Sequence, residues 1–138
     1  HIFKKNILKI NKFIMINKHA SLLPNYRGLL PYFWSKIDNN KNGISFHIIS
    51  NKIDSGNLVF QKVFKKKFHS LVNFYLYVEK KYPEFLLKSI NNLKKKKIKN
   101  NKFSKTYYSL PNSNDFKKFK KAGGKIIRLN DIFNKIID

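Results

Sequence analysis

The chain has 138 residues, no cysteine and a formal net charge of +23. This length is typical of one domain and is enough to bury a core. The lack of cysteine excludes disulfides, thiolate metal sites and a thiol nucleophile, which fits a protein of the reducing cytoplasm.

The positive charge comes almost entirely from lysine. Of the 30 lysine and arginine residues only Arg27 and Arg128 are arginine, which leaves 28 lysines, and Asn, Ile and Phe are also abundant. Codons for these residues are poor in G and C, so a nucleotide bias of the genome explains the charge without a ligand. Nucleic-acid interfaces rely on arginine for bidentate contacts. We therefore favour composition bias, with a lysine-rich RNA-binding module as the alternative.

The first elements in chain order are a helix and a short strand. Phe3, Ile7 and Ile10 recur at helical spacing within residues 2–10, and a continuous apolar run at residues 13–16 predicts a buried strand. The run is too short to cross a membrane. A helix followed by a short apolar strand predicts a parallel sheet covered on both faces, with ligands at the carboxyl ends of its strands.

Two polar side chains come at the end of this strand. If the strand continues, its period of two places Asn17 and His19 on the same side. An amide that donates and an imidazole that titrates near neutral pH can together stabilise an oxyanion and move a proton.

Residues 20–30 contain Pro24 and Gly28 and predict a loop, and Pro31 then predicts the start of a helix through residue 37. We interpret the aromatic residues 32–34 as core rather than as a platform for stacking bases. A turn at residues 38–43 precedes a predicted strand at 44–50.

A second strand is predicted at residues 57–64, and the short link implies an antiparallel pair. Asp54 lies in that link, where Gly56 permits a tight backbone path. His47, in the first strand of the pair, is interpreted as a partly buried structural histidine.

The remainder predicts helices and a tail. Ser70 is a predicted N-cap, and Pro83 predicts either a kink or a second helix. Beyond residue 98 we expect a linker at 105–115, a short helix at 115–121 ended by Gly123 and Gly124, and a last helix at 130–137.

The sequence I-N-K-H-A-S-L-L-P-N-Y-R-G at residues 16–28, followed by P-Y-F-W, G-I-S-F-H-I-I-S and I-D-S-G-N-L-V-F-Q, resembles the folate-dependent formyltransferases. This family includes methionyl-tRNA formyltransferase, glycinamide ribonucleotide transformylase and the sugar N-formyltransferases. The similarity runs in register over residues 7–61 and more loosely to residue 93.

The resemblance implies an α/β fold, the C-terminal half of a formyltransferase-type Rossmann-like domain. We then expect a mostly parallel sheet with an antiparallel strand pair and helices on both faces. Residues 1–97 would form this half-domain, with its N-terminal half missing, and residues 98–138 a linker and small helical tail. The Tyr-Tyr-Ser-x-Pro tail is similar to that of some uncharacterised or sugar-directed formyltransferases, not to the tRNA-gripping barrel domain.

The family's catalytic triad, N-x-H and the aspartate of D-x-G, falls on Asn17, His19 and Asp54. The resemblance also implies that the link before Asp54 lines the folate pterin pocket, with four cofactor-binding residues: Ser50, Asn51, Lys52 and Ile53. Arg27 either binds an anionic part of the substrate or fixes the loop by pairing with a carbonyl or carboxylate. No metal is expected, because the four histidines show no ligand spacing.

The implied function is formyl transfer from 10-formyltetrahydrofolate to an amine acceptor, either a sugar nucleotide amine or a methionyl-tRNA-like acceptor. Nucleic acid is then a partner only if the acceptor is tRNA, and no membrane partner is expected. The sequence leaves the oligomeric state open. The alternatives are a formyltetrahydrofolate deformylase, which S-L-L-P-x-Y-R-G fits less well, and an inactive fragment.

Overall fold

The computed structural model describes residues 13–102 and 106–133. The strands are β1 Ile16–His19, β2 Arg27–Gly28, β3 Gly43–Ile48, β4 Leu58–Val63 and β5 Tyr107–Tyr108. The helices are α1 Pro31–Ile37, α2 Leu71–Lys94, α3 Ser113–Lys121 and α4 Leu129–Phe133. The predicted α/β class is confirmed. The helix predicted at residues 2–10 and the end of the one predicted at 130–137 lie outside the described residues.

The main sheet has the order β1-β3-β4, and both of its pairings are antiparallel. The predicted antiparallel pair corresponds to β3 and β4. The expectation of a mostly parallel sheet is corrected for the described strands, since β1 ends at His19 opposite Ser45, near the start of β3. The chain therefore enters β3 at the same end of the sheet at which it leaves β1. Among the described strands, parallel pairing is confined to β2 and β5.

Helix α2 covers one face of this sheet. It begins after Ser70, the predicted N-cap, whose hydroxyl accepts a hydrogen bond from the Asn73 backbone N–H at 2.9 Å. The helix continues through Pro83, so of the two predicted alternatives a second helix is excluded. No helix in the described part of the chain, α2 included, is both long and apolar enough to cross a membrane.

Aromatic side chains fill the core between α2, α1 and the sheet. Tyr32 of α1 stacks on Phe74 of α2, with ring centroids 4.4 Å apart. Phe33 and Tyr32 are almost fully buried, which confirms the core interpretation for these two residues, whereas Trp34 is only partly buried. The main buried cluster consists of Tyr32, Ile44, Phe46, Phe64, Phe68, Phe74, Val78 and Phe85.

The apolar run before β1 is not buried as predicted. Phe13 is 72% exposed and Ile14 is 65% exposed, and the strand begins only at Ile16. The reason is that β1 is an edge strand of the described sheet and these two residues precede its pairing with β3.

The tail packs on the first half of the chain. Part of the predicted linker forms β5, which pairs in parallel with β2. Helix α3 begins at a capping box made by Asn112 and Asp115, slightly earlier than predicted. Its Phe119 stacks on Phe33 of α1, with ring centroids 4.3 Å apart and planes 12° apart.

The end of the tail covers the N-terminus of α2. The carbonyls of Lys125 and Ile126 accept hydrogen bonds from the backbone N–H groups of Leu71 and Val72 at 2.8 and 3.0 Å. These N–H groups belong to the first turn of α2, where backbone N–H groups have no hydrogen-bond acceptor within the helix. The buried Asp131 also accepts a hydrogen bond from the Ser70 hydroxyl at 2.5 Å. The division of the chain near residue 97 stays a prediction.

Candidate active site

Strand pairing brings Asn17 of β1 next to His47 of β3. The two residues are direct cross-strand partners, so their side chains leave the same face of the sheet. Asn17 Nδ2 lies 3.4 Å from His47 Nε2. On the other side of the ring, His47 Nδ1 donates a hydrogen bond to the Ile48 carbonyl at 3.0 Å.

Asp54 connects the members of this cluster. Its Oδ1 lies 3.4 Å from both Asn17 Nδ2 and His47 Nε2. Its Oδ2 lies 3.5 Å from His19 Nδ1 and accepts a hydrogen bond from the Gly28 backbone N–H at 2.9 Å. Asp54 has a φ of 49°, a left-handed conformation that aspartate adopts more readily than most residues.

His19 is held between a carboxylate and a carbonyl. Its Nε2 donates a hydrogen bond to the Tyr26 carbonyl at 2.8 Å, and its Nδ1 faces Asp54. The residue is only 5% exposed. Burial lowers the pKa of His19 below its ordinary value, although the Asp54 carboxylate and the Tyr26 carbonyl favour the charged ring. The neutral ring can therefore accept a proton, and Asp54 lies in place to stabilise the cation that results.

Asp54 itself is ionised at neutral pH. Burial acts to raise the pKa of this carboxyl, but the hydrogen bond from His47, the charge of His19 and the Gly28 N–H together lower it below its usual value. The site thus contains a buried anion that accepts a hydrogen bond from the Gly28 N–H and lies within reach of the Asn17 amide.

The loop after β1 fixes the positions of both His19 and Asp54. Tyr26 supplies the carbonyl for His19, and Gly28 supplies the N–H for Asp54. Between them, Arg27 is 5% exposed and donates from Nε and Nη2 to the Ile53 carbonyl at 2.8 and 2.5 Å. Arg27 thereby holds this loop against the link that carries Asp54.

The structure brings together the three predicted triad residues, Asn17, His19 and Asp54, although Asn17 and Asp54 are 37 residues apart. Their catalytic roles stay predictions. For Arg27 the geometry corresponds to the loop-fixing role, the second of the two predicted from sequence. Its role in substrate binding stays a prediction.

The four residues predicted to bind the cofactor lie in the exposed link beside the cluster. This link is stabilised by its own hydrogen bonds, from Ser50 Oγ to the Lys52 carbonyl at 3.1 Å and from Ser55 Oγ to the same carbonyl at 2.8 Å. The link is therefore ordered and accessible. The predicted cofactor-binding residues are all exposed: Ser50, Asn51, Lys52 and Ile53.

His47 has more contacts in the site than its sequence position indicates. It is buried, as a structural histidine would be, but it also contacts both Asn17 and Asp54. The strand register is the signal that could have identified this role. An alignment of Asn17 opposite His47 would have placed these two side chains on the same face of the sheet. In the described ranges, no group of three or more His, Cys, Asp or Glu side chains could hold a metal ion.

Comparisons with known proteins give consistent results. The sequence profile described as formyl transferase matches residues 1–69. A methionyl-tRNA formyltransferase from Thermodesulfovibrio yellowstonii is 45% identical over 62 residues, which are 44% of this chain and 20% of that protein. The chain thus spans about a fifth of the length of this relative.

Two solved structures share the fold. The formyltransferase PseJ from Anoxybacillus kamchatkensis, in complex with UDP-4,6-dideoxy-4-formamido-L-AltNAc and tetrahydrofolate, matches with a TM-score of 0.68 at 22% identity. The match covers 88% of this chain and 64% of that one. A 4-N formyltransferase from Francisella tularensis gives a TM-score of 0.67 at 22% identity, covering 88% and 57%. With the profile match over residues 1–69, half of the sequence, the chain belongs to the formyl transferase family.

Proposed function

We propose that this chain forms part of an enzyme that transfers the formyl group of 10-formyltetrahydrofolate to an amine, with Asn17, His19 and Asp54 as its catalytic residues. The observation that carries the proposal is the convergence of these three side chains, with Asp54 within 3.5 Å of both others. In the reaction the amine nitrogen attacks the formyl carbon, a C–N bond forms and the carbonyl oxygen becomes an oxyanion. The bond from the formyl carbon to the folate nitrogen then breaks, and that nitrogen takes up a proton.

Asn17 is the member of the cluster that is open to solvent, whereas His19, His47 and Asp54 are buried. The substrates therefore approach from the Asn17 side. Its amide nitrogen carries two hydrogens, so Asn17 can donate one toward Asp54 and the other to the oxyanion. Loss of one such donor typically lowers turnover on the order of 100-fold to 1000-fold.

His19 and Asp54 handle the proton that the amine loses. Because burial keeps His19 largely neutral, the ring can accept this proton directly or through a water molecule. The adjacent Asp54 carboxylate then stabilises the imidazolium, which can neutralise the oxyanion or protonate the leaving nitrogen. Asp54 acts on the reacting atoms electrostatically.

The link at residues 50–53 fits a folate-binding role. Its side chains are exposed, and its backbone is held by Arg27 and by internal hydrogen bonds. A rigid backbone with accessible polar groups can recognise a pterin edge at little entropic cost. The complex of PseJ with tetrahydrofolate supports a folate donor in this family.

For the acceptor we propose an amino sugar attached to a nucleotide. PseJ was solved with a formamido sugar nucleotide, and its fold match extends over 88% of this chain, which includes part of the tail. The match to the Thermodesulfovibrio methionyl-tRNA formyltransferase covers only 44% of the chain. Methionyl-tRNA is the second candidate because that shorter match is the more identical one. A cytoplasmic location is part of this proposal.

The test is a transfer assay with 10-formyltetrahydrofolate and either an amino sugar nucleotide or methionyl-tRNA. Tetrahydrofolate release is followed by absorbance, and the formylated amine is identified by mass spectrometry. We expect the formylated sugar nucleotide from the wild-type protein and none from Asn17→Ala or His19→Ala. Asn114→Ala, which removes an exposed amide in α3, is the matched control and should retain activity.

Other products would redirect the assignment. Free formate with no formylated amine would indicate a deformylase, and formylated methionyl-tRNA would replace the sugar acceptor. Wild-type turnover in both Asn17→Ala and His19→Ala would refute the proposed catalytic residues. The absence of every product would leave the chain as an inactive member of the family.

A further inference from the structure

We infer that the tail strand β5 is a positioning element of the catalytic cluster, so that the tail sets the geometry of His19 and Asp54 as well as adding stability. This inference rests on the proposed function. Its basis is that β5 pairs with the loop that holds both of these side chains.

The pairing itself is formed by backbone atoms. Arg27 lies opposite Tyr107 and Gly28 opposite Tyr108 in a parallel register. The Leu29 backbone N–H donates a hydrogen bond to the Tyr108 carbonyl at 2.8 Å. Backbone pairing with the tail therefore fixes Gly28 and Leu29 on one side of the loop. On the other side of the loop, Gly28 donates its N–H to Asp54.

Gly28 shows how closely the tail approaches. Its φ is 106°, and a Cβ added there would lie 2.2 Å from the Tyr108 carbonyl oxygen and 2.8 Å from a ring carbon of Tyr107. A side chain at this position would therefore displace β5, quite apart from the strain of the positive φ. The same glycine donates its N–H to Asp54 Oδ2. One residue thus contacts both the tail and the proposed catalytic carboxylate.

The ring of Tyr108 fixes the other end of the loop. Its centroid lies 5.4 Å from that of Tyr26 and 5.0 Å from that of Trp34. Tyr26 has a φ of 57°, which is uncommon for a residue other than glycine and persists only when its surroundings impose it. The carbonyl of Tyr26 is the acceptor for His19 Nε2. Packing of Tyr108 on Tyr26 therefore helps to set the orientation of the imidazole.

The tail is well anchored for this role. Phe119 stacks on Phe33, and the carbonyls of residues 125 and 126 bond to the first turn of α2. β5 is thus connected to a segment fixed to the core at two further places, and it can hold the loop in one arrangement.

The experiment compares Tyr108→Ala with Tyr108→Phe and with a control, Leu110→Ala, in the full chain. Leu110 lies in the same segment and is 68% exposed. Two readouts are taken: the His19 imidazole titration by NMR, and kcat and KM for formyl transfer. We expect Tyr108→Ala to shift the His19 titration and to lower kcat by about 10-fold to 100-fold with little change in KM for the folate. Tyr108→Phe keeps the ring and should restore both values, and Leu110→Ala should resemble the wild type.

An unchanged His19 titration and kcat in a folded Tyr108→Ala protein would overturn the inference, whatever its stability. If Tyr108→Ala does not fold, Tyr108→Leu replaces it, because leucine keeps apolar volume while removing the aromatic faces. If the wild-type protein transfers no formyl group, the proposed function fails, and the NMR titration alone still decides whether the tail positions His19.

Discussion

Replacement of Asp54 by asparagine tests the electrostatic design of the cluster most directly. The asparagine oxygen can keep the 2.9 Å hydrogen bond from the Gly28 N–H. The amide NH₂ then takes the place of Oδ1, where it faces Asn17 Nδ2 and, at 3.4 Å, His47 Nε2. The substitution thus replaces the acceptor of the Asn17 amide with a second donor, and it removes the charge that faces His19.

The loss of these contacts sets the expected decrease in the free energy of unfolding. A hydrogen bond to a charged group contributes roughly 1.5 to 3 kcal/mol, and leaving a buried partner of that bond unsatisfied costs roughly 1 to 3 kcal/mol. Because the distances of 3.4 to 3.5 Å are long, the low end applies. We expect Asp54→Asn to lower the free energy of unfolding by about 2 to 3 kcal/mol at pH 7. The catalytic rate should fall by roughly 100-fold or more.

Urea denaturation at several pH values measures the effect. The pKa of Asp54 is lower in the folded than in the unfolded chain, so its stabilisation is complete above the unfolded pKa of about 4 and is lost as the pH falls through the folded pKa. The difference between the wild type and Asp54→Asn should therefore shrink below about pH 4. Asp38→Asn is the matched control: this exposed carboxylate accepts only from the Tyr26 hydroxyl among the contacts described, and an amide oxygen can replace it. A cost for Asp54→Asn no larger than that of Asp38→Asn would refute the reasoning.

Three further outcomes follow from other contacts. Burial lowers the pKa of His19, so the contribution of the neutral ring to stability is present above about pH 6.5 and is lost as the pH falls. In thermal scans, His19→Gln should therefore make the melting temperature depend less on pH between pH 8 and pH 5. A pH dependence as steep as that of the wild type would contradict this. Asp131→Asn should cost about 1 to 3 kcal/mol in urea denaturation, because the buried carboxylate accepts from Ser70 Oγ, and a neutral result would show that the tail end is not held there. Gly56→Ala should cost about 1 to 3 kcal/mol, because an added Cβ would lie 1.7 Å from the Ile48 carbonyl oxygen; wild-type stability would mean that the link moves freely.

The elements that sequence predicted well are those with a local signal. Pro31 marks the start of α1, and Ser70 caps α2, because both act on the backbone within one turn. The antiparallel pair of β3 and β4 follows from a link too short for a crossover. The convergence of Asn17, His19 and Asp54 was expected from a family motif, and without that resemblance an aspartate before Ser-Gly would have been assigned to a turn.

What the sequence did not show depends on contacts between distant segments. Tyr107 and Tyr108 carry no pattern that distinguishes a two-residue strand from a linker, and their partner is a loop 80 residues earlier by register. The direction of β1 against β3 depends on where the chain re-enters the sheet, and apolar periodicity does not encode this. The sequence left two roles open for Arg27, substrate binding and fixing of the loop, and it is the hydrogen bond to the Ile53 carbonyl that favours the second.

The β1 to β3 register constrains the length of the strands as well as their composition. Asn17 meets His47 only because the two strands align at these positions. Side chains alternate between the faces of a strand, so deletion of a single residue between Ile44 and Phe46 would rotate His47 to the opposite face. Along this strand the number of residues is therefore constrained as well as their identity, and the turn before Gly43 is the place where an insertion would leave both the pairing with β1 and the link that carries Asp54 unchanged.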